Sequence, residues 1–161
     1  SAIPQGWLTV GRIVATPVTL MDHWQDHPDY LARDASVADN LRMAAFAEGI
    51  SSPGDTLFLW GFDPMVNFVA RRHTVSRFLY NYPFAVVWQT PDYKTELLTA
   101  LAAAPPDLFV VSSGDATPHV TGNLADSRKL FEQFEALREF VATHYRYVTR
   151  IARFDVYQRM M

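Results

Sequence analysis

Two acidic residues stand just past short, continuous apolar runs, and they are the first candidates for chemistry. Thr56-Leu57-Phe58-Leu59-Trp60 is followed by Gly61-Phe62-Asp63, and Leu108–Val111 by Ser112-Ser113-Gly114-Asp115. A continuous apolar run between turn residues is how a strand buried on both faces reads. In an open parallel sheet, ligands collect outside the carboxyl ends of the strands. If these two strands are neighbours, Asp63 and Asp115 line one crevice, with Trp60 and His119 close by. Two carboxylates so placed could do acid–base work or hold a divalent cation. The competing reading makes Asp63 the N-cap of a following helix and Gly114-Asp115 a turn, roles these residue types favour. The cap-and-turn reading is preferred, so no catalytic residue and no metal ligand is assigned.

A second group is cationic and aromatic. Arg71-Arg72-His73 and Arg77 could bind an anion such as a phosphate or an acidic lipid headgroup, with Tyr80 and Tyr82 beside them. The preferred reading makes them the polar C-terminal end of a short helix, where cations offset the helix dipole. Together the two groups give a ligand-binding candidate set of Trp60, Asp63, Arg77, Tyr80, Tyr82, Ser113 and Asp115. His23 and His27 have the four-residue spacing of two ligands on one helical face. No Glu follows His23, so the metalloprotease pattern is absent and a solvated polar face is expected. His73, His119 and His144 are isolated. Neither G-x-G-x-x-G nor G-x-x-x-x-G-K-[ST] nor G-x-S-x-G occurs, so no cofactor is expected and hydrolase chemistry has no anchor.

Composition narrows the classes further. In 161 residues, 49% are hydrophobic, 19% charged and 14% aromatic, which calls for a packed core. A net charge of −3 repels polyanions on average, so nucleic acid is not an expected partner. With no cysteine, disulfides and zinc–thiolate sites are excluded. No apolar run reaches the roughly 18 residues of a membrane span. The chain opens on Ser1 without the charged and apolar regions of a signal peptide, as an excised piece would.

The elements that must position these residues follow from spacing. Residues 1–30, with Pro4, Pro17 and Pro28, read as an extended lead-in with one edge strand near Leu8–Val14. A single domain is expected over 31–161. Its first helix starts at Ser36-x-x-Asp39, carries Val37, Leu41, Ala44, Ala45 and Ile50 on one face, and stops near Ser51–Gly54. Asp63-Pro64 opens a short helix through Arg71. Ser76–Tyr80 reads as a short strand, and Thr90-Pro91 opens a helix with Leu97, Leu98 and Leu101 inward. One long helix is expected from Asp126 to Thr143, with the stripe Leu130, Phe134, Leu137 and Val141. Tyr145–Ile151 and Phe154–Gln158 form an antiparallel hairpin at one sheet edge. Alternating strands and helices predict an α/β three-layer sandwich with a mainly parallel sheet and that C-terminal antiparallel hairpin.

Several strings, taken in order, carry a resemblance. Pro53-Gly54-Asp55, Leu57–Trp60, Gly61 and Pro64 form a PGD–hydrophobic–WG–x–x–P pattern. Val69–Arg72, Ser76–Pro83, Pro105–Val111, Gly114-Asp115 and Phe154–Arg159 follow, with Tyr30–Asp34 ahead. Over roughly residues 25–159 this resembles the soluble C-terminal domain of bacterial polytopic glycosyltransferases of the protein O-mannosyltransferase and arabinosyltransferase-like group. In that family a membrane-embedded portion, not represented in this chain, carries catalysis with a lipid-phosphate-linked sugar donor. The resemblance therefore implies a non-catalytic accessory domain on the extracytoplasmic face of the cytoplasmic membrane. Its partner would be the transmembrane portion of its own full-length chain, with lipid-phosphate-sugar or acceptor nearby. A free-standing sugar-phosphate or small-molecule binding module using the crevice near Gly61 and Gly114 is the alternative. A small enzyme using Asp63 and Asp115 is a third possibility.

Overall fold

The computed structural model describes residues 37–88 and 92–160. The expected lead-in over residues 1–30, the strand near Leu8–Val14, the His23/His27 pair and the helix starts at Ser36 and Thr90-Pro91 lie outside the described residues. Seven helices are described: α1 Val37–Ile50, α2 Met65–Ala70, α3 Tyr82–Ala85, α4 Asp92–Ala103, α5 Pro118–Thr121, α6 Ser127–Gln133 and α7 Glu135–His144. Four strands accompany them: β1 Leu57–Trp60, β2 Leu108–Ser112, β3 Tyr145–Ile151 and β4 Phe154–Arg159.

The strands form one sheet in the order β1-β2-β4-β3. β1 pairs parallel with β2, whereas β4 pairs antiparallel with both β2 and β3. The sheet is therefore mixed rather than mainly parallel. The apolar runs of β1 and β2 suggested helix-covered parallel strands, but β2's second neighbour is a strand of the terminal hairpin. That hairpin lies where it was expected, at one edge, and β4 is as buried as β2 at Phe154, Asp155 and Val156.

Alternation along the strands divides the interior in two. Leu57, Leu59, Leu108, Val110, Phe154 and Val156 face α1 and α2, packing on Met43, Ala44, Ala47, Val66 and Ala70. Phe58, Trp60, Phe109 and Val111 face the other way, onto Phe84, Leu97, Leu101, Leu130, Phe134, Leu137 and Val141. The α1 stripe is turned slightly from its expected face: Met43 and Ala47 are buried and Ala45 is exposed.

Two further expectations are corrected. Ser76–Tyr80 is irregular, not a strand, because hydroxyls take its amides: Phe78 N–H donates to Ser76 Oγ at 3.1 Å. The open side of β1 is met by an isolated Thr56–His73 bridge and by Asn67, whose Nδ2 donates to the Leu57 carbonyl. The long helix expected over Asp126–Thr143 is two helices broken at Phe134, whose φ of −94° and ψ of 81° leave the helical region. All four stripe residues nonetheless reach the core, and Phe134 brings its ring centroid to 6.0 Å from Trp60.

Candidate functional site

β1 and β2 end side by side, with Trp60 opposite Val111, so the residues that follow each strand converge. Gly61 makes the convergence possible. A Cβ there would lie 2.6 Å from Ser112 Cβ and 2.9 Å from Leu59 Cδ2, so only glycine lets the chain leave β1 this close to β2.

Asp63 does not cap α2; Pro64 occupies the cap position, and no side chain caps that end. Its carboxylate points back into the sheet instead, with the side chain 1% exposed. Arg153 Nη2 donates to Oδ1 at 2.6 Å, Asn40 Nδ2 to the same oxygen at 3.3 Å, and Ser112 Oγ to Oδ2 at 3.1 Å. Burial pushes the Asp63 carboxyl above its ordinary range, outweighing the pull of the Arg153 charge, and the nearby Asp115 charge adds to the rise. Asp115 is held separately. Ser127 donates its N–H to Oδ1 at 2.8 Å and its hydroxyl to Oδ2 at 2.6 Å, and Phe62 N–H reaches Oδ2 at 3.3 Å. The same Ser127 accepts Asn81 Nδ2 on Oγ and the Trp60 indole N–H on its carbonyl, both at 2.8 Å.

The mouth of the crevice is closed by the β3–β4 turn. Ser113 Oγ donates to the Arg153 carbonyl and accepts from Arg150 Nη2, each at 2.8 Å. Asp155 takes Arg128 Nη1 at 2.6 Å and lies 3.7 Å from Arg150 Nη1. Asp126 caps α6 through the Lys129 N–H and also accepts the Gly114 N–H at 2.8 Å. Both carboxylates of the proposed crevice are thus saturated by the chain's own donors, the arrangement that lets charge be buried at tolerable cost.

The candidate residues fall into two groups. Asp63, Ser113 and Asp115 share the strand-end network, together with the indole of Trp60. Trp60 is 1% exposed and belongs to the core, so a surface contact is not open to it. Arg77, Tyr80 and Tyr82 lie elsewhere. Arg77 makes a two-pronged contact with Glu96 through Nε and through Nη2 at 2.8 Å, and its guanidinium sits 4.5 Å over the Phe78 ring. That hydrogen-bonded pairing draws the Glu96 carboxyl below its ordinary range. Tyr80 and Tyr82 pack edge-on at 6.4 Å between centroids, Tyr80 exposed and Tyr82 half-buried. His119 is exposed on α5.

Of the expected anion-binding cluster, Arg71 and His73 stay exposed, whereas Arg77 is paired with Glu96 and Arg72 turns inward. Arg72 is buried, with its guanidinium donating to Ser51 Oγ, the Ser51 carbonyl and the Ala70 carbonyl. Among the described residues, no group of three His, Asp or Glu side chains could hold a metal ion. Arg153, Arg150, Ser127, Asn81 and Asn40 were not singled out from the sequence. Each has a partner 12 or more residues away in the chain, and no local pattern signals that. Compared with protein-family models, curated proteins and solved structures, the chain matches none.

Proposed function

We propose that this chain is a non-catalytic accessory domain of a membrane-embedded glycosyltransferase. It stands on the extracytoplasmic face, docks on the transmembrane portion of its own full-length chain, and helps position the acceptor or the lipid-phosphate-linked sugar donor. The two cores, one on each side of the sheet, favour a three-layer sandwich as the architecture of this domain. The family identity rests on the ordered strings from Pro53 to Arg159.

One observation carries the docking role. At the strand ends, where an open sheet would offer a ligand site, Asp63 and Asp115 are engaged by Arg153, Ser112, Asn40, Ser127 and Phe62 of the same chain. Several large apolar side chains are exposed elsewhere on the surface instead. Phe68 and Leu124 are each 85% exposed, and Val87, Trp88, Leu79 and Tyr80 lie largely in solvent. Exposed apolar side chains in such number suit a domain that meets a second surface.

The test is photo-cross-linking in native membranes, with the reactive group placed in turn at Phe68, Trp88 and Leu124. The expected product joins these positions to the membrane-embedded portion of the same polypeptide. Adducts confined to unrelated proteins, or none at all, would overturn the reading.

A further inference from the structure

The face formed by α2 and the segment after it combines features that point to a particular surface. A cavity of about 550 Å³ is lined by Pro64, Asn67, Phe68, Arg71, His73 and Leu79 among others. Phe68 and Leu79 project from its rim, and Tyr80 follows Leu79 into solvent. Arg71 and His73 are exposed in the same lining, and no Asp or Glu lines it among the described residues. The Arg71 cation thus stands among exposed apolar side chains with no carboxylate in the lining, on a chain of net charge −3.

The backbone adds an independent sign. Arg71 is the C-cap of α2, with φ 52° and ψ 43°. That left-handed position is the one at which helices ordinarily place glycine, because a Cβ is strained there. Here an arginine holds it, and among the described residues its guanidinium enters no ion pair. With no ion pair among the described residues, the Arg71 charge is left available to an anion from outside.

We propose that this face seats on an anionic lipid headgroup layer. Phosphates lie between Arg71 and His73, while Phe68 and Leu79 enter the headgroup–acyl boundary and Tyr80 stays at the level of the headgroups. Apolar side chains that project beside a cation and an imidazole donor, with no carboxylate to repel phosphate, are the chemistry of interfacial membrane contact. A protein partner would need a pocket for a Phe68 ring that stands almost wholly clear of the chain. A bilayer supplies one anywhere. The inference rests on the docking reading for the nearby membrane, and it fixes which face is turned toward it.

Co-sedimentation of the 161-residue chain with vesicles tests it. Phosphatidylcholine vesicles containing about 30% phosphatidylglycerol should bind the chain and release it as salt is raised, whereas pure phosphatidylcholine should bind it weakly. Phe68→Ala with Leu79→Ala should lower binding tenfold or more, and Arg71→Gly about fivefold. Arg71→Gly should at the same time raise the melting temperature, because it removes the left-handed strain, so its binding loss cannot be a folding loss. Val148→Ala, on β3 at the sheet edge opposite β1, should leave binding unchanged. No binding to anionic vesicles, equal binding to neutral ones, or an equal loss from Val148→Ala would each overturn the inference. If vesicle binding is absent but Phe68 still cross-links to the membrane-embedded portion, the face is a protein interface: the lipid inference fails and the docking reading stands.

Discussion

Truncating Arg153 to alanine isolates the contact on which the closed crevice depends. In the native chain the guanidinium meets Asp63 at 2.6 Å, with the two side chains 13% and 1% exposed. Removing one partner of a buried ion pair costs about 3–5 kcal/mol, because the other charge is left buried. Asp63 keeps the Ser112 and Asn40 hydrogen bonds, so the low end of that range, about 3 kcal/mol, is expected at pH 7. For a domain of this size the melting temperature should fall by roughly 10 °C. The pH dependence has a definite sign. Burial already holds the Asp63 pKa above 3.8, and the Arg153 charge is the largest influence pulling it down. Without Arg153 it rises further. A carboxyl whose pKa is raised on folding contributes stability that is complete below its unfolded value and is lost as pH climbs through the folded one. The variant's deficit should therefore be smallest near pH 4 and grow toward pH 7. Urea unfolding followed by circular dichroism at several pH values reads this directly. A deficit below about 0.5 kcal/mol at pH 7 would refute the reasoning, since that is the range of an ordinary surface change. So would a deficit that does not vary with pH.

Three more outcomes follow from the same geometry. Gly61→Ala should destabilise by about 1–3 kcal/mol, since its Cβ would overlap Ser112 in a packed strand pair; an unchanged urea midpoint would contradict this. Ser127→Ala should cost about 2–3 kcal/mol, because it strips a hydroxyl from both Asp115 and Asn81 in a buried setting; thermal unfolding measures it. Ala152→Gly should stabilise by about 0.5 kcal/mol, because Ala152 holds a φ of 50° in the β3–β4 turn and the relief of strain exceeds the added unfolded-chain freedom.

How far the sequence led differs between elements. β1, β2 and the C-terminal hairpin were legible because each is a continuous or alternating apolar run bounded by turn residues. The stripe of Leu130, Phe134, Leu137 and Val141 correctly named four core residues, yet the break at Phe134 carried no glycine or proline to announce it. Ser76–Tyr80 looked like a strand from its apolar content, but Thr74 and Ser76 satisfy its amides locally. The convergence of Asp63 and Asp115 was readable from two strand ends, given that β1 and β2 are neighbours. What fills the crevice was not readable: Arg153 is 90 residues from Asp63, and Ser127 is 12 from Asp115. Insertion of β4 beside β2 is what brings the arginine-bearing turn over the strand ends, and that pairing is long-range.

Amide hydrogen exchange separates a docking face from a ligand crevice when the chain alone is compared with the same chain in its full-length protein in membranes. New protection is expected at residues 68–80, on the exposed face, with residues 61–63 and 112–115 unchanged because their polar groups are already engaged. Protection gained at 61–63 and 112–115, in membranes or on adding a sugar phosphate to the chain alone, with 68–80 unaltered, would contradict that expectation.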